Sequence, residues 1–200
     1  MPTYLVILLH GVGADAASFQ PLARALAQGL PQAEFLVPDG FHPFDGGGGG
    51  RQWFSLSGIT EETRPLRVKA AAEEVSRYID AELARRKLGG DRLVLVGFSQ
   101  GAIVAASVTL HRRPAPAALV MLSGRVSEAS SPVAGAVSTP VLVAHGEADP
   151  RIPVDYAPDS ARLLGAWGAK VTVRRYRGVG HEVSPEELRD VQAFLAEVLR

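Results

Sequence analysis

A serine framed by glycines is the residue of this chain best suited to nucleophilic chemistry. Ser99 stands in the segment Gly97-Phe98-Ser99-Gln100-Gly101, which follows the apolar run 93–96 and precedes the small-residue stretch 102–106. A G-x-S-x-G segment between a strand and a helix is typical of a sharp turn that exposes the serine hydroxyl. The amides and the positive dipole end of that helix would point at the reacting atom. The alternative is a tight strand-to-helix turn that contains a serine without using it.

A serine hydroxyl is a poor nucleophile at neutral pH unless a base accepts its proton and an acid orients that base. In folds with this kind of turn, the three residues follow the chain order serine, aspartate or glutamate, histidine. His181 meets that order in the loop Gly178-Val179-Gly180-His181 and is the predicted base. His111 is expected at the surface beside two arginines, and His145 ends a predicted strand. The alternative for His181 is a histidine near the start of the last helix without a chemical role.

Asp149 is the predicted acid because it follows the apolar run 141–145 in a turn at the end of a strand. The proline after it biases its backbone to an extended conformation, which projects the side chain out of the loop. Glu147 is the nearest competitor for this role. Asp155 and Asp159 are expected to begin the following helix, where the positive end of the helix dipole stabilises a carboxylate.

Stabilising the oxyanion of an acyl-transfer intermediate requires two backbone N–H groups aimed at one point. Gln100, directly after the serine, is predicted to supply one of them. Val12 is predicted to supply the other from the loop Leu9-His10-Gly11-Val12-Gly13, where the glycines let the backbone approach a substrate oxygen closely. His10 precedes Ser99 in the chain and is expected to brace this loop by hydrogen bonding instead of acting as the base.

The elements that must position these residues are predicted as alternating strands and amphipathic helices. The predicted strands are Tyr4–Leu9, Glu34–Val37, Arg92–Phe98, Ala118–Leu122, Val141–His145 and Val171–Tyr176. Near-continuous apolar runs of this kind are typical of parallel strands covered on both faces. A long helix is predicted from about Pro65 to Lys87, and the last helix begins at the capping-box sequence Ser184-Pro185-Glu186-Glu187. The pattern predicts one α/β domain over residues 1–200, with a doubly wound, mostly parallel sheet.

The segment 38–60 breaks this rhythm. It contains five consecutive glycines, Gly46 to Gly50, whose weak conformational preference predicts a mobile tip. Several of the few aromatic residues of the chain flank the glycines, namely Phe41, Phe44, Trp53 and Phe54. Such a concentration of aromatic side chains favours a loop on the substrate side over a surface loop without a role.

Composition excludes several classes of function. The chain has 21 Lys and Arg residues against 21 Asp and Glu residues, so no electrostatic footprint for nucleic acid is present. It has no cysteine, which excludes disulfides, thiolate metal sites and a cysteine nucleophile. No cluster of metal-ligand residues and no glycine-rich phosphate or dinucleotide motif appears, so no metal and no cofactor are expected. No basic leader and no bilayer-length apolar stretch appears, which favours a cytoplasmic location without membrane insertion.

Four segments together resemble the α/β-hydrolase superfamily, and more narrowly its acyl-protein thioesterase and phospholipase–carboxylesterase branch. They are Leu9-His10-Gly11-Val12-Gly13 with Asp15, Trp53-Phe54, Gly97-Phe98-Ser99-Gln100-Gly101, and the stretch from His145 to Pro153 with Gly180-His181. The resemblance spans nearly the whole chain and implies an α/β-hydrolase fold without a cap domain. It implies a shallow surface groove that accepts small esters or thioesters with modest acyl chains. It also implies that Trp53, Phe54 and Ile152 lie near this groove.

The chain departs from the family pattern at several places. Ser55 follows Trp-Phe where the family has aspartate, and Ala102 stands where a second glycine is frequent. The glycine run replaces a more structured segment, and an edge strand common before the first strand is expected to be absent. The sequence therefore predicts a serine hydrolase that cleaves esters of short to medium acyl chains. The protein-depalmitoylation role known in the family is not transferred to this chain. The alternatives are an amidase or peptidase of the same fold and a binding protein with an unused site.

Overall fold

A computed structural model describes residues 2–127 and 138–200 of the chain. Within these ranges, six strands form one parallel sheet in the order β2-β1-β5-β6-β7-β8. The strands are β1 (Tyr4–Leu9), β2 (Ala33–Leu36), β5 (Leu93–Phe98), β6 (Ala118–Leu122), β7 (Pro140–Gly146) and β8 (Lys170–Tyr176). Two short strands, β3 (His42–Pro43) and β4 (Arg51–Gln52), pair separately as an antiparallel hairpin. The predicted doubly wound parallel sheet is confirmed.

Five α-helices cover the two faces of the sheet in the described part of the chain. They are α1 (Ala16–Ala27), α2 (Arg64–Arg86), α3 (Gln100–His111), α4 (Tyr156–Ala166) and α5 (Pro185–Val198). Leu5, Ile7 and Leu9 of β1 pack in the core layer that contains α2, α3 and α4, whereas Val6 and Leu8 pack in the layer that contains α1 and α5. The alternation follows from the two-residue period of a strand, and burial on both faces explains the continuous apolar runs.

The predicted helix boundaries agree closely with the structure. The helix predicted from about Pro65 to Lys87 runs from Arg64 to Arg86, and its stripe of Val75, Ile79 and Leu83 is buried against the sheet. In α5, the Ser184 side chain accepts from the amide of Glu187, whose carboxylate accepts from the Ser184 amide. This is the capping box that the sequence predicted. No helix in the described ranges is long and apolar enough to cross a membrane.

The glycine-rich segment is organised around the hairpin of β3 and β4. The Phe44 amide donates to the Gly50 carbonyl at 2.9 Å, and the Gly47 amide donates to the Phe44 carbonyl at 3.0 Å. The turn between these bonds contains three successive glycines with positive φ, Gly47, Gly48 and Gly49. The predicted mobility of this tip stays a prediction.

Candidate active site

Ser99 lies at the carboxyl end of β5, directly before α3, as the sequence predicted. Its backbone has φ 54° and ψ −117°, a conformation that a residue with a side chain rarely adopts. A Cβ on Gly97 would meet the Ala102 backbone at 2.5 Å, and one on Gly101 would meet the Leu9 carbonyl oxygen at 2.0 Å. Glycine is therefore required on both sides of the turn. Ser99 is the N-cap residue of α3, but its hydroxyl makes no capping hydrogen bond and is available to another partner.

That partner is His181, which follows β8 in the chain. The Ser99 Oγ lies 2.9 Å from His181 Nε2, and His181 Nδ1 lies 2.7 Å from Asp149 Oδ2. A carboxylate can only accept here, so Nδ1 carries the proton and Nε2 accepts from the serine hydroxyl. The Phe98 ring stacks at a tilt against the imidazole, with 4.9 Å between the ring centroids. The structure thus brings the three predicted residues into one chain of hydrogen bonds.

Asp149 is held by more donors than the histidine alone. Its Oδ1 accepts from the amides of Arg151 at 2.8 Å and Ile152 at 3.0 Å. Its Oδ2 also lies 3.3 Å from Nε2 of His145, whose stronger hydrogen bond is to the Ile152 carbonyl at 2.9 Å. Burial raises the pKa of Asp149, but the hydrogen bonds from His181 and the two amides outweigh it, so the pKa lies below its ordinary value. Asp149 is therefore ionised at neutral pH.

The competing residues lie elsewhere. Glu147 is exposed, with its carboxylate 3.5 Å from Arg175. Asp155 is the N-cap residue of α4 and Asp159 lies in its first turn, as expected. His111 is the half-buried last residue of α3.

The two residues predicted to supply an oxyanion hole both line the cleft beside Ser99. This cleft has a volume of about 830 Å³ and contains Val12, Gln100 and His181 in its walls. The loop that carries Val12 is braced by His10, whose Nδ1 donates to the Gly11 carbonyl and whose Nε2 accepts from the Gly40 amide, both at 2.8 Å. The bracing role predicted for His10 agrees with these contacts.

The side chain of Gln100 has a positioning role that sequence reasoning missed. Its Oε1 accepts from the Trp53 amide at 2.8 Å, and its Nε2 donates to the Phe54 carbonyl at 2.7 Å. The start of α3 is thereby joined to the segment that follows the glycine hairpin. A buried glutamine next to a serine gives no sign in sequence of which distant backbone it will bind.

The three predicted groove residues do not share one position. Phe54 and Ile152 line the cleft, but Trp53 does not. Trp53 is 1% exposed, its Nε1 donates to the His10 carbonyl at 2.8 Å, and its ring packs edge-on against Phe41. Trp53 was predicted to lie near the groove and to bind substrate. Its buried indole supports the loop that carries Val12, and a contact with substrate stays a prediction.

Sequence reasoning also missed a group of charged and aromatic residues in the cleft wall. They are Glu61, Arg64, Arg125, Arg151 and Tyr156. The one available signal was that Arg125 and Arg151 follow the carboxyl ends of β6 and β7, the same edge that carries the other site residues. Among the described residues, no group of three or more His, Asp or Glu side chains is placed to hold a metal ion.

Comparison with known proteins agrees with this architecture. The chain is 29% identical to the esterase YpfH of Escherichia coli K12 over 185 residues, which cover 92% of this chain and 78% of the relative. It is 29% identical to acyl-protein thioesterase 1 of Mycosarcoma maydis over 227 residues, covering 99% and 92% of the two chains. The crystal structure of esterase PE8 superimposes with a TM-score of 0.89 at 27% identity, covering 98% of this chain and 93% of the other.

The sequence profile of the phospholipase/carboxylesterase family matches residues 1–199, which is nearly the whole chain. The parallel sheet, the absence of a cap domain in the described ranges and the structural neighbours all fit the α/β-hydrolase fold. The chain therefore belongs to the phospholipase/carboxylesterase family, and it is an ester hydrolase of the α/β-hydrolase fold.

Proposed function

We propose that the protein is a serine carboxylesterase that cleaves esters, and thioesters by the same route, through an acyl-enzyme on Ser99. The observation that carries the proposal is the chain of hydrogen bonds from Ser99 through His181 to Asp149, at 2.9 Å and 2.7 Å. Ser99 and His181 line a cleft of about 830 Å³, whose walls also contain Val12 and Gln100. A base within hydrogen-bond reach of the nucleophile, itself oriented by a buried carboxylate, is the arrangement that activates a serine.

Acylation begins when Ser99 Oγ attacks the carbonyl carbon and its proton passes to Nε2 of His181. The carbonyl oxygen becomes an oxyanion, which accepts hydrogen bonds from the backbone amides of Val12 and Gln100. Losing one such donor costs about 2.7–4 kcal/mol of barrier in enzymes that use this device. Asp149 stabilises the imidazolium at Nδ1. His181 then returns the proton to the leaving oxygen or sulfur, the bond from the carbonyl carbon breaks, and the acyl group stays on Ser99.

Deacylation repeats these steps with water as the nucleophile. His181 Nε2 takes a proton from the water as it attacks the acyl carbon, and then gives that proton to Ser99 Oγ as the carboxylic acid leaves. The apolar part of the cleft includes Phe19, Phe44 and Phe54. Because these rings occupy only one part of a cleft that is charged elsewhere, we expect a preference for short to medium acyl chains.

The test is a series of p-nitrophenyl esters from acetate to palmitate, assayed with the wild type and with Ser99→Ala. We expect the highest kcat/KM at a short or medium chain, and a loss of at least about 10⁴-fold in Ser99→Ala. Ser107→Ala is the matched control, because it removes another buried hydroxyl from α3 away from the cleft. Turnover by Ser99→Ala near that of the control would overturn the proposal.

Two further substrates distinguish the esterase from the two alternatives, an amidase and a binding protein of the same fold. A thioester of the best acyl group should be cleaved with the same dependence on Ser99, whereas a matched anilide should be a much poorer substrate. A better rate on the anilide would make the protein an amidase. A wild type that cleaves none of these compounds and resists labelling by a fluorophosphonate would be a binding protein of the same fold.

A further inference from the structure

The two sides of the cleft differ in chemistry because of the order of the strands. β1 pairs with one side of β5, and β6 pairs with the other, followed by β7. The loop after β1 therefore lies on one side of Ser99, and the loops after β6 and β7 lie on the opposite side. Apolar residues on the first side are Val12, Ala14, Phe19 and Phe44, the last of them from the glycine hairpin. The second side has the apolar Ile152 and Pro153 after β7, but it also carries the charged and aromatic residues of the wall, which are Arg125, Tyr156, Glu61 and Arg64.

Arg125 is fixed in the wall of this second side. Its side chain is 9% exposed, and its Nη2 donates to both carboxylate oxygens of Glu61 at 2.9 Å. Its guanidinium carbon lies 4.6 Å from the centroid of the Tyr156 ring, a distance at which a cation is attracted to an aromatic face. The guanidinium is thus held in the cleft wall by one carboxylate and one aromatic face.

Two arginines share one carboxylate here. Arg64 also donates to Glu61, at 3.1 Å, and its side chain is 17% exposed. The buried Nε of Arg64 finds no acceptor among the described residues. The hydrogen bond from Arg125 lowers the pKa of Glu61, so this carboxylate is charged at neutral pH, yet it neutralises only one of the two cations. The exposed Arg151 adds a further positive charge to the same side of the cleft.

Glu61 differs from its two partners in its exposure. Its side chain is 73% exposed, while both guanidiniums are largely withdrawn from water. A second carboxylate can therefore take its place on Arg125 at small cost, because Glu61 returns to water when it is displaced. The arginine side chain is suited to this exchange, since its planar fork matches the two oxygens of a carboxylate.

We propose that the preferred substrates are esters that carry a free carboxylate, and that Arg125 and Arg64 bind this carboxylate in place of Glu61. The inference rests on the proposed function and names the substrate class of the same cleft. The apolar part of the substrate lies on the side of Phe44, the scissile carbonyl lies at Ser99, and the carboxylate lies on the side of Tyr156. The chemistry is the same whether the carboxylate belongs to the acyl group or to the alcohol.

Matched pairs of esters test this proposal. On the acyl side, the pair is mono-4-nitrophenyl adipate and methyl 4-nitrophenyl adipate, which differ only in whether the distal carboxylate is free or capped. On the alcohol side, the pair is 4-acetoxybenzoate and its methyl ester. We measure the ratio of kcat/KM between the free and the capped member of each pair. We expect a ratio of roughly tenfold or more in one pair, decreasing as salt is added.

Variants then assign the ratio to the arginines. Arg125→Met should lower it by tenfold or more, and Arg125→Lys should retain part of it, because lysine keeps the charge and loses the fork. Glu61→Gln should raise the ratio severalfold, since the competing carboxylate is gone while the side chain keeps its shape. Opposite shifts from two contacting residues are not expected if both only maintain the fold. Arg162→Met is the matched control, because Arg162 is an exposed arginine on α4.

The outcomes distinguish the inference from the function on which it rests. Hydrolysis of the capped esters with a ratio near one in both pairs would overturn the substrate class and leave the esterase standing. A ratio that Arg125→Met and Arg125→Lys leave at the level of Arg162→Met would also overturn it. A wild type that hydrolyses neither the free nor the capped esters would contradict the proposed function itself.

Discussion

At the scale of single residues, the hydrogen bonds around Asp149 decide which nitrogen of His181 carries the proton. Oδ1 is occupied by two backbone amides, those of Arg151 and Ile152, so only Oδ2 is left for the imidazole. Because both amides are donors, the atom that faces them must be an acceptor, so the Oδ1 position can hold an oxygen but not an NH₂ group. The carboxylate is thus held in one orientation, and the imidazole in one tautomer.

Asp149→Asn tests this arrangement. The two amides will hold the asparagine oxygen at the Oδ1 position, so its NH₂ group faces His181 Nδ1 and donates to it. His181 then carries its proton on Nε2 and can no longer accept from Ser99. We expect kcat on the best p-nitrophenyl ester to fall by about 10⁴-fold, as is typical for loss of the correct tautomer.

Asp159→Asn is the control for this substitution, because Asp159 is an exposed carboxylate in the first turn of α4. Its kcat should stay within about twofold of the wild type. Circular dichroism and the thermal midpoint of each variant will show whether the fold is kept. A kcat for Asp149→Asn within tenfold of the control would assign the orienting role to another group.

At the scale of elements, the glycine hairpin holds the loop that carries Val12. The Gly13 amide donates to the Arg51 carbonyl, and the Arg51 amide donates to the Ala14 carbonyl, both at 2.8 Å. β4 therefore extends along the loop that follows β1, although the two are separated by the whole of α1 in the chain. We therefore expect the position of the Val12 amide to depend on this contact.

Two glycine-to-alanine substitutions in the same hairpin separate this contact from the flexibility of the tip. A Cβ on Gly50 would lie 2.2 Å from the Gly13 carbonyl oxygen, so Gly50→Ala must push the hairpin away from the loop. A Cβ on Gly48 would meet nothing within 4 Å, and Gly48→Ala costs only about 1 kcal/mol for its positive φ. We expect Gly50→Ala to lower kcat by at least tenfold and Gly48→Ala to leave it within about twofold.

Steady-state kinetics on a neutral p-nitrophenyl ester, with the thermal midpoint of each variant, provide the measurement. Equal kcat for the two variants would show that the hairpin does not position the loop that carries Val12. A large decrease in kcat for Gly48→Ala alone would instead show that the conformation of the hairpin tip matters for turnover.

The strands and helices were predictable because their signals are local. Tyr4–Leu9 and Ala118–Leu122 were predicted to the residue, since a strand buried on both faces is a continuous apolar run. Ser99 was also predictable, because its turn is encoded within five consecutive residues. The proposed acid and base needed only the further knowledge that the carboxyl ends of parallel strands meet at one edge.

The remaining features depend on contacts between distant residues. Arg125 has no motif of its own, and its place beside Ser99 follows from the pairing of β5 with β6. The burial of the Trp53 indole was not predictable either, because an aromatic residue in a loop carries no sign of which way it points. Five glycines in a row give no preference for a hairpin, which here is fixed by hydrogen bonds to the loop after β1.

At the scale of the whole molecule, three buried titratable side chains couple folding to pH. His10 and His145 have no exposed surface, and burial lowers the pKa of each below 6.5. Glu187, also without exposed surface, has its pKa raised above 4.5 by burial. Burial favours the neutral form in all three cases. The histidines therefore bind protons more readily in the unfolded chain, and the glutamate binds its proton more readily in the folded one.

Stability should fall as the pH is lowered from 7.5 to 5.5. Below about pH 6.5 the unfolded chain binds protons at His10 and His145 more readily than the folded protein does. Glu187 opposes this by at most one proton as its folded form titrates. The unfolding free energy is therefore expected to fall on acidification through this window, with a slope of at most about 2.7 kcal/mol per pH unit for two histidines, at roughly 1.4 kcal/mol per proton. Urea unfolding at pH 7.5, 6.5 and 5.5 measures it.

His10→Asn provides the variant for this measurement, because asparagine keeps a donor toward the Gly11 carbonyl and does not titrate. It should be less stable than the wild type at pH 7.5 and should reduce the slope by at most about 1.4 kcal/mol per pH unit, which is the limit for one proton. His42→Asn is the control, since His42 is a half-exposed histidine on the hairpin and its loss should leave this burial-driven slope in place. An unfolding free energy that stays level or rises on acidification would mean that the buried histidines take up protons within the folded protein. His10 would then not be a neutral ring when it braces the loop that carries Val12.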